Sequence, residues 1–217
     1  IVICDDVSSD DTVKIINNYQ DPRIKLFINE KNLGAINNLK NCISKASGDI
    51  IVICDSDNVW IKGKLDNIIP LFEDEKISMV MHDAFITDNQ LNVIDDSYFS
   101  WRKSKPGLLR NIFRNGYGGS MISFRSTMIK YIMRSPKKLG MFFDEWIGMM
   151  CSKHGKVKFV NNKYIYWRRH SGAESSISTI TSDTFVSKNK KRPFHKIKWF
   201  LTVMKDRLHK LWLACWY

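Results

Sequence analysis

The sequence predicts an α/β fold, a mainly parallel sheet flanked by helices, from three features. Short uninterrupted apolar runs stand at residues 1–4, 50–54 and 77–81, segments with helical spacing lie between them, and acids or glycines punctuate the junctions. Strands that read as continuous apolar runs are those covered by helices on both faces. Alternation of such strands with helices implies parallel pairing through right-handed crossovers. With 217 residues, 44% hydrophobic and 12% aromatic, the chain has apolar surface enough for one substantial core and for the entropy of ordering it.

Residues 1–4 form the first strand, which ends in Asp5-Asp6, and Ser8, Ser9, Asp10 and Asp11 supply helix-start chemistry ahead of Val13, Ile15 and Ile16. Residues 24–28 form a second strand. After Gly34 the apolar positions Ile36, Leu39, Cys42, Ile43 and Ala46 recur at helical spacing until Gly48 stops them. Residues 50–54 form the third strand, Leu65, Ile68, Ile69 and Phe72 a short helix, and residues 77–81 a fourth strand. Beyond Asp83 the alternation weakens, with helices expected near residues 108–113, 125–133 and 144–153 and strands at 157–160 and 164–167. In parallel sheets ligands bind beyond the carboxyl ends of the strands. Both acidic clusters, Asp5-Asp6 and Asp55-Ser56-Asp57, lie at that edge.

Strand alternation puts Asp55 and Asp57, two residues apart, on one side. Two such carboxylates can share a divalent cation whose other positions go to diphosphate oxygens and water, the usual arrangement for Mg²⁺ or Mn²⁺. Acids at a strand end also serve as solvated loop residues or helix caps.

Further motifs surround this one in a fixed order. Asp5-Asp6-Val7-Ser8-Ser9-Asp10 closes the first strand, Asn32-Leu33-Gly34-Ala35 opens a helix, Gly48-Asp49 precedes the third strand, and Trp60, Lys64 and Leu65 follow it. Farther on come Gly119-Ser120-Met121 with Phe124-Arg125, then Asp144-Glu145-Trp146, then Trp167-Arg168-Arg169-His170. In content and order this resembles the family 2 glycosyltransferases of the GT-A fold, bacterial rhamnosyltransferase-like enzymes nearest, over residues 1–177. Val7 stands where that family has Gly, which predicts another backbone path for the loop. Asn58 replaces a common third Asp, and Trp167 replaces Tyr. The family's opening strand and helix fall before Ile1, so the resemblance implies a chain that lacks them.

The resemblance implies a GT-A-like, Rossmann-like catalytic domain over residues 1–180. Its reaction would be an inverting, metal-dependent transfer of a hexosyl or rhamnosyl group from a nucleotide diphosphate sugar to a saccharide or lipid-linked acceptor in surface polysaccharide synthesis. By the same resemblance Asp6 binds the nucleotide, although as an acid before a helix it also suits a cap. Asp55 faces ribose and diphosphate, and Asp57 ligates Mn²⁺ or Mg²⁺. Asp144 is the base that takes the acceptor hydroxyl proton, or the N-cap of its own helix. Arg168 and His170, on one face of a strand end, reach the diphosphate. Asp83, Gly119, Ser120, Glu145 and Trp146 line the acceptor side, with Trp146 and Trp60 also suited to packing.

The formal net charge of +12 is unevenly placed, because nine basic residues stand against one acid from Ser187 to Tyr217. There Ile197, Phe200, Leu201, Met204, Leu208, Leu211, Trp212 and Cys215 keep helical spacing, which predicts a basic amphipathic helical tail over residues 187–217. Such a helix suits docking on an anionic membrane surface or packing on the domain. Positive charge gathered in one terminal helix argues against a nucleic-acid binder, whose basic residues interleave with aromatics over a folded face. No stretch approaches the ~18 uncharged apolar residues of a membrane span. Five cysteines without CxxC spacing point to a reducing compartment, and the chain opens at Ile1 without a signal-peptide pattern. A cytoplasmic protein, peripheral on the inner face of the plasma membrane, is therefore expected. Two other readings stand beside this one. Residues 53–59 also meet the DxDx motif of haloacid-dehalogenase-type phosphohydrolases, in which Asp55 would attack phosphorus, and a transferase-like chain without catalysis would act as an interaction protein.

Overall fold

The computed structural model describes residues 1–136 and 141–169, together with His209 and Leu213. Strands β1 (Val2–Asp5) and β2 (Lys25–Ile28) pair in parallel, with helix α1 (Thr12–Asn18) as their crossover. Helix α2 (Ala35–Lys45) packs on β1. Its Asn38 side chain donates to the Cys4 carbonyl at 2.8 Å, and its Leu39 and Ile43 enter the core.

Strand β3 (Ile50–Val52) leads to the acidic turn and β4 (Val59–Trp60) leaves it. Helix α3 (Lys64–Ile68) and a 3₁₀ turn over Ile69–Glu73 then deliver the chain to β5 (Ile77–Thr87). This strand is central, because β7 (Ile122–Arg125) and β8 (Lys156–Arg168) pair along its two sides and bury nearly every residue. The sheet order is β3-β7-β5-β8-β4, and β6 (Val93–Asp95) joins β5 near its end. Of these pairs β5–β8 is parallel, while β3–β7, β5–β7, β4–β8 and β5–β6 are antiparallel.

The α/β class and the flanking helices therefore match expectation, whereas the sheet is mixed rather than mainly parallel. A strand covered on both faces reads as the same apolar run whichever way its neighbours point, so the run reports burial and not direction.

Strand β5 also runs six residues past the apolar segment 77–81. Polar His82, Asp83 and Thr87 end that segment in sequence, yet they are 0%, 3% and 0% exposed. Strand β8 is continuous where two short strands were expected. Val160 pairs with His82 and Lys163 with Asp83, so Asn161 and Asn162 form a bulge that interrupts the pattern without ending the strand.

Four more helices complete the layers: α4 (Tyr98–Arg102), α5 (Leu108–Phe113), α6 (Ile129–Ile132) and α7 (Phe143–His154). The last lies across β5 and β8 and is buried from Glu145 to Cys151. Gly148 permits this approach, since a methyl group there would lie 2.4 Å from the Tyr117 ring. The expected tail helix at 187–217 lies outside the described residues except for His209 and Leu213. Both are helical, and Leu213 is fully buried with the main core. No helix among the described residues is long and apolar enough to cross a membrane.

Candidate active site

Asp6 ties the carboxyl end of β1 to the start of α2. Its Oδ1 accepts from the Leu33 amide at 2.7 Å and Asn29 Nδ2 at 2.8 Å, and its Oδ2 from the Gly34 amide at 2.9 Å. These donors, the Leu33 amide foremost, hold the carboxyl below its ordinary pKa. Asp6 thus braces the segment that enters α2 and caps neither that helix nor α1, which follows it in sequence. Beside it Val7 has φ of 66°, a left-handed conformation natural to glycine and unfavourable for a β-branched residue. The loop therefore follows a glycine-type path with a valine on it, which corrects the expectation of a different one.

Residues 55–58 form a turn in which the Asn58 amide donates to the Asp55 carbonyl at 3.4 Å. Since β3 ends at Val52, the turn and not strand alternation sets the directions of Asp55 and Asp57. Asp55 Oδ2 accepts from the Ser120 hydroxyl, which itself accepts from Asn58 Nδ2 at 2.7 Å. The Ser120 carbonyl accepts from Lys64 Nζ at 3.1 Å. Lys64 is 2% exposed, its ammonium sits 4.0 Å from the Trp60 ring centroid, and burial lowers its pKa to about 8. Solvent reaches the Asp55 side chain although protein surrounds it closely, as on the wall of a concavity. That crowding first, and the Asp57 charge beside it, raise its pKa.

Among the described residues no group of three or more His, Cys, Asp or Glu side chains could hold a metal ion by itself. The Asp55–Asp57 pair fits the other kind of site, in which a hard cation takes one or two carboxylates and completes its shell from phosphate and water. Burial first and the Asp57 charge second disfavour ionisation of Asp55, and a cation bound beside it would offset both.

Asp144 lies in the first turn of α7, whose N-cap is Phe142, so it is not the cap. Its Oδ1 accepts from the Glu145 amide at 2.7 Å. Gly119 separates it from Asp55. A methyl group on Gly119 would lie 3.9 Å from Asp144 Cβ and 3.9 Å from Asp55 Oδ2. Burial, and then the charges of Glu145 and Asp55, push the Asp144 carboxyl up to about 7 against the opposing pull of the Glu145 amide and Arg102. A carboxyl with a pKa near neutrality, reached by solvent in a crowded cleft, has the property required of a general base.

Two arginines flank these acids. Arg102, at the end of α4, is the counter-charge to Asp144, and its Nε is buried without a partner among the described residues. Arg168, the last residue of β8, is held by its amide to Asn58 Oδ1 at 2.9 Å, and its Nε is likewise buried and unpartnered among the described residues. Such guanidinium groups are donors suited to phosphate or carboxylate oxygens. Trp167, edge-on to Tyr98 at 5.3 Å, packs beside them.

Other expected residues have different places. His170 lies outside the described residues. Asp83 is 3% exposed; it accepts from the Phe99 and Ala84 amides at 2.8 Å and the Ser97 hydroxyl at 2.6 Å, so it seats α4 instead of facing an acceptor. Glu145 and Trp146 are 1% and 0% exposed, and the Trp146 indole donates to the Ile132 carbonyl at 2.9 Å, which makes both interior residues. Ser120 is 1% exposed and orients Asp55. Gly119, by contrast, is half-buried between the two acids. The sequence reading missed the positioning parts of Asn58 and Lys64, both inside recognisable motifs, and it missed Arg102, which no motif surrounds.

The sequence matches the pattern of Glycosyl transferase family 2 over residues 1–153. It is 44% identical over 78 residues to the Escherichia coli UDP-Glc:alpha-D-GlcNAc-diphosphoundecaprenol beta-1,3-glucosyltransferase WfaP, a stretch covering 36% of this chain and 31% of that protein. Among solved structures, S. aureus TarS 1-349 in complex with UDP-GlcNAc superposes with a TM-score of 0.64 at 20% identity, over 85% of this chain and 53% of that one. Mannosyltransferase PcManGT from Pyrobaculum calidifontis, in complex with GDP-Man and Mn²⁺, superposes with a TM-score of 0.51 at 16% identity, over 75% of this chain and 45% of that one. The chain thus spans well under two thirds of each of these proteins. At such identities the two structures establish the fold, which is GT-A. Motif order, fold and family pattern agree, and the chain belongs to glycosyl transferase family 2.

Proposed function

We propose that this chain holds the donor site and the base of an inverting glycosyltransferase that moves a sugar from a nucleotide diphosphate sugar to a saccharide or lipid-linked acceptor in surface polysaccharide synthesis. The observation that carries this reading is the convergence of Asp55 and Asp144 on Gly119, with Asp144 raised to about 7. Asp144 takes the proton of the acceptor hydroxyl as that oxygen bonds to the anomeric carbon. The bond from that carbon to the diphosphate oxygen breaks, the nucleoside diphosphate leaves from the opposite face, and configuration inverts.

Arg168 donates to the charge that develops on the diphosphate, with His170 beside it by resemblance. Asp55, oriented by Ser120 and Asn58, faces ribose, and Asp6 braces the nucleotide wall. Asp57 would hold Mg²⁺ or Mn²⁺, which when bound neutralises the leaving diphosphate. The names of WfaP and of the TarS complex support a UDP donor and a lipid-linked acceptor. Such an acceptor suits a peripheral place on the inner membrane face, with the basic tail at 187–217 in contact with lipid. Family membership overturns the phosphohydrolase reading.

Thermal unfolding with UDP, GDP or dTDP, each with Mn²⁺, Mg²⁺ or chelator, tests the proposal, since a ligand at ~100 Kd stabilises by about 2.7 kcal/mol. Metal-dependent stabilisation by one nucleotide, lost in Asp57→Asn, is the expected result. No shift with any nucleotide would overturn the donor site and leave a transferase-like interaction protein.

A further inference from the structure

Helix α4 has two faces with different surroundings. Tyr98, Trp101 and Arg102 turn toward Gly118, Trp167 and Asp144, on the side of the two acids. Phe99 and Lys103, one turn apart on the other side, line a cavity of about 470 Å³ together with Lys105, Arg110, Phe159 and neighbouring loop residues. This volume lies in the range of small-molecule sites.

Among the described residues, three cations and no acid line the cavity. The ring pair of Phe99 and Phe159, whose centroids lie 5.2 Å apart, contributes to its lining. The Arg110 guanidinium donates to the Lys103 carbonyl at 2.9 Å, which fixes one cation at the rim. Cations beside aromatic rings in one cavity match a phosphate group joined to an apolar chain, because the cations satisfy the phosphate oxygens while the chain lies against the apolar lining.

We infer that this cavity seats the diphosphate and first isoprenoid units of a lipid-linked acceptor. The inference rests on the transferase reading and adds to it the place of the acceptor's lipid end. With its side chains a helix is about 10 Å across, so an acceptor seated behind α4 reaches Asp144 around that helix with a short saccharide. The diphosphoundecaprenol acceptor in the name of WfaP has this chemistry.

Tryptophan fluorescence of the full chain, with Trp101 and Trp167 packed against each other beside the cavity helix, provides the test by titration with farnesyl diphosphate, farnesol and inorganic pyrophosphate. Farnesyl diphosphate should bind at least about tenfold more tightly than either half alone, and Lys105→Glu should weaken it by about tenfold or more. Lys105 is exposed, so the variant should keep its melting temperature; Lys105→Gln, milder still, should lose affinity to a smaller degree. Equal binding of farnesol, or undiminished binding by Lys105→Glu, would overturn the assignment. So would a surface that binds phosphatidylglycerol vesicles through Lys105 while ignoring farnesyl diphosphate, because the anion would then be a bilayer headgroup. The nucleotide melting shift on the same sample reports the transferase reading separately. A nucleotide shift without farnesyl diphosphate binding sinks the cavity assignment alone, and the reverse pattern sinks the donor site alone.

Discussion

Replacing Asp144 by Asn should raise stability and abolish most turnover, and the two effects share one cause. The carboxyl has a pKa of about 7 in the folded chain against 3.8 when unperturbed. Between those values the folded chain binds the proton more tightly than the unfolded one. The contribution of Asp144 is therefore fully stabilising below about pH 4 and is lost as pH rises through about 7. From pH 5 to pH 8 the titration of such a group costs the wild type roughly 2.6 kcal/mol, which solvent contact at this half-buried side chain reduces to about 1–2 kcal/mol. Asparagine keeps the shape and an acceptor for the Glu145 amide but cannot ionise. The stability difference between Asp144→Asn and wild type should thus grow by about 1–2 kcal/mol in favour of the variant over that pH range. Loss of the base should lower turnover by about 10²–10⁴. Urea unfolding of both proteins across the range, with transfer rates at each pH, reads both effects. A stability difference that stays flat with pH, or a variant that turns over like wild type, would refute the reasoning, since either result makes Asp144 an ordinary solvated acid.

Val7→Gly should stabilise the chain by about 1 kcal/mol in chemical denaturation, because a left-handed non-glycine residue costs about 1–2 kcal/mol and the added backbone freedom of glycine returns only part of that; a destabilised variant would mean that Val7 does not hold its φ of 66°. Gly119→Ala meets its neighbours at 3.9 Å, an ordinary contact, so stability should change by less than about 0.5 kcal/mol. The methyl group nevertheless fills the space between Asp55 and Asp144, and the transfer rate should fall by about tenfold or more; a wild-type rate would place the reacting groups elsewhere. Gly148→Ala forces a methyl group to 2.4 Å from the Tyr117 ring and should cost about 1–3 kcal/mol by overpacking, measured as a lower melting temperature with the far-UV spectrum unchanged.

The legibility of this chain follows the distance over which each feature is decided. The alternation of the first three strands with α1 and α2 is local, because apolar spacing in a short window tells which face of a segment is buried. The stretch 108–113 and the start of α7 are legible for the same reason. Failures occur where a distant partner changes the value of a residue. Polar His82 and Asp83 end an apolar run in sequence and continue a buried strand in space, where the Asp83 carbonyl pairs with His82 Nδ1 and the Ser97 hydroxyl and the Ala84 and Phe99 amides donate to the Asp83 carboxylate.

The sequence by itself determined the alternation of the first three strands with α1 and α2 and the family, and it pointed to Asp55, Asp57 and Asp144 as the acids proposed to carry chemistry. Only the tertiary structure decided the rest: that Asp6 braces α2, that Asp83, Glu145 and Trp146 are interior, that Arg102 stands beside Asp144, and that Gly119 lies between Asp55 and Asp144. The physical reason is that desolvation and charge pairing depend on which remote segments pack together. A local pattern of apolar and polar residues records that a segment is buried without recording what it is buried against.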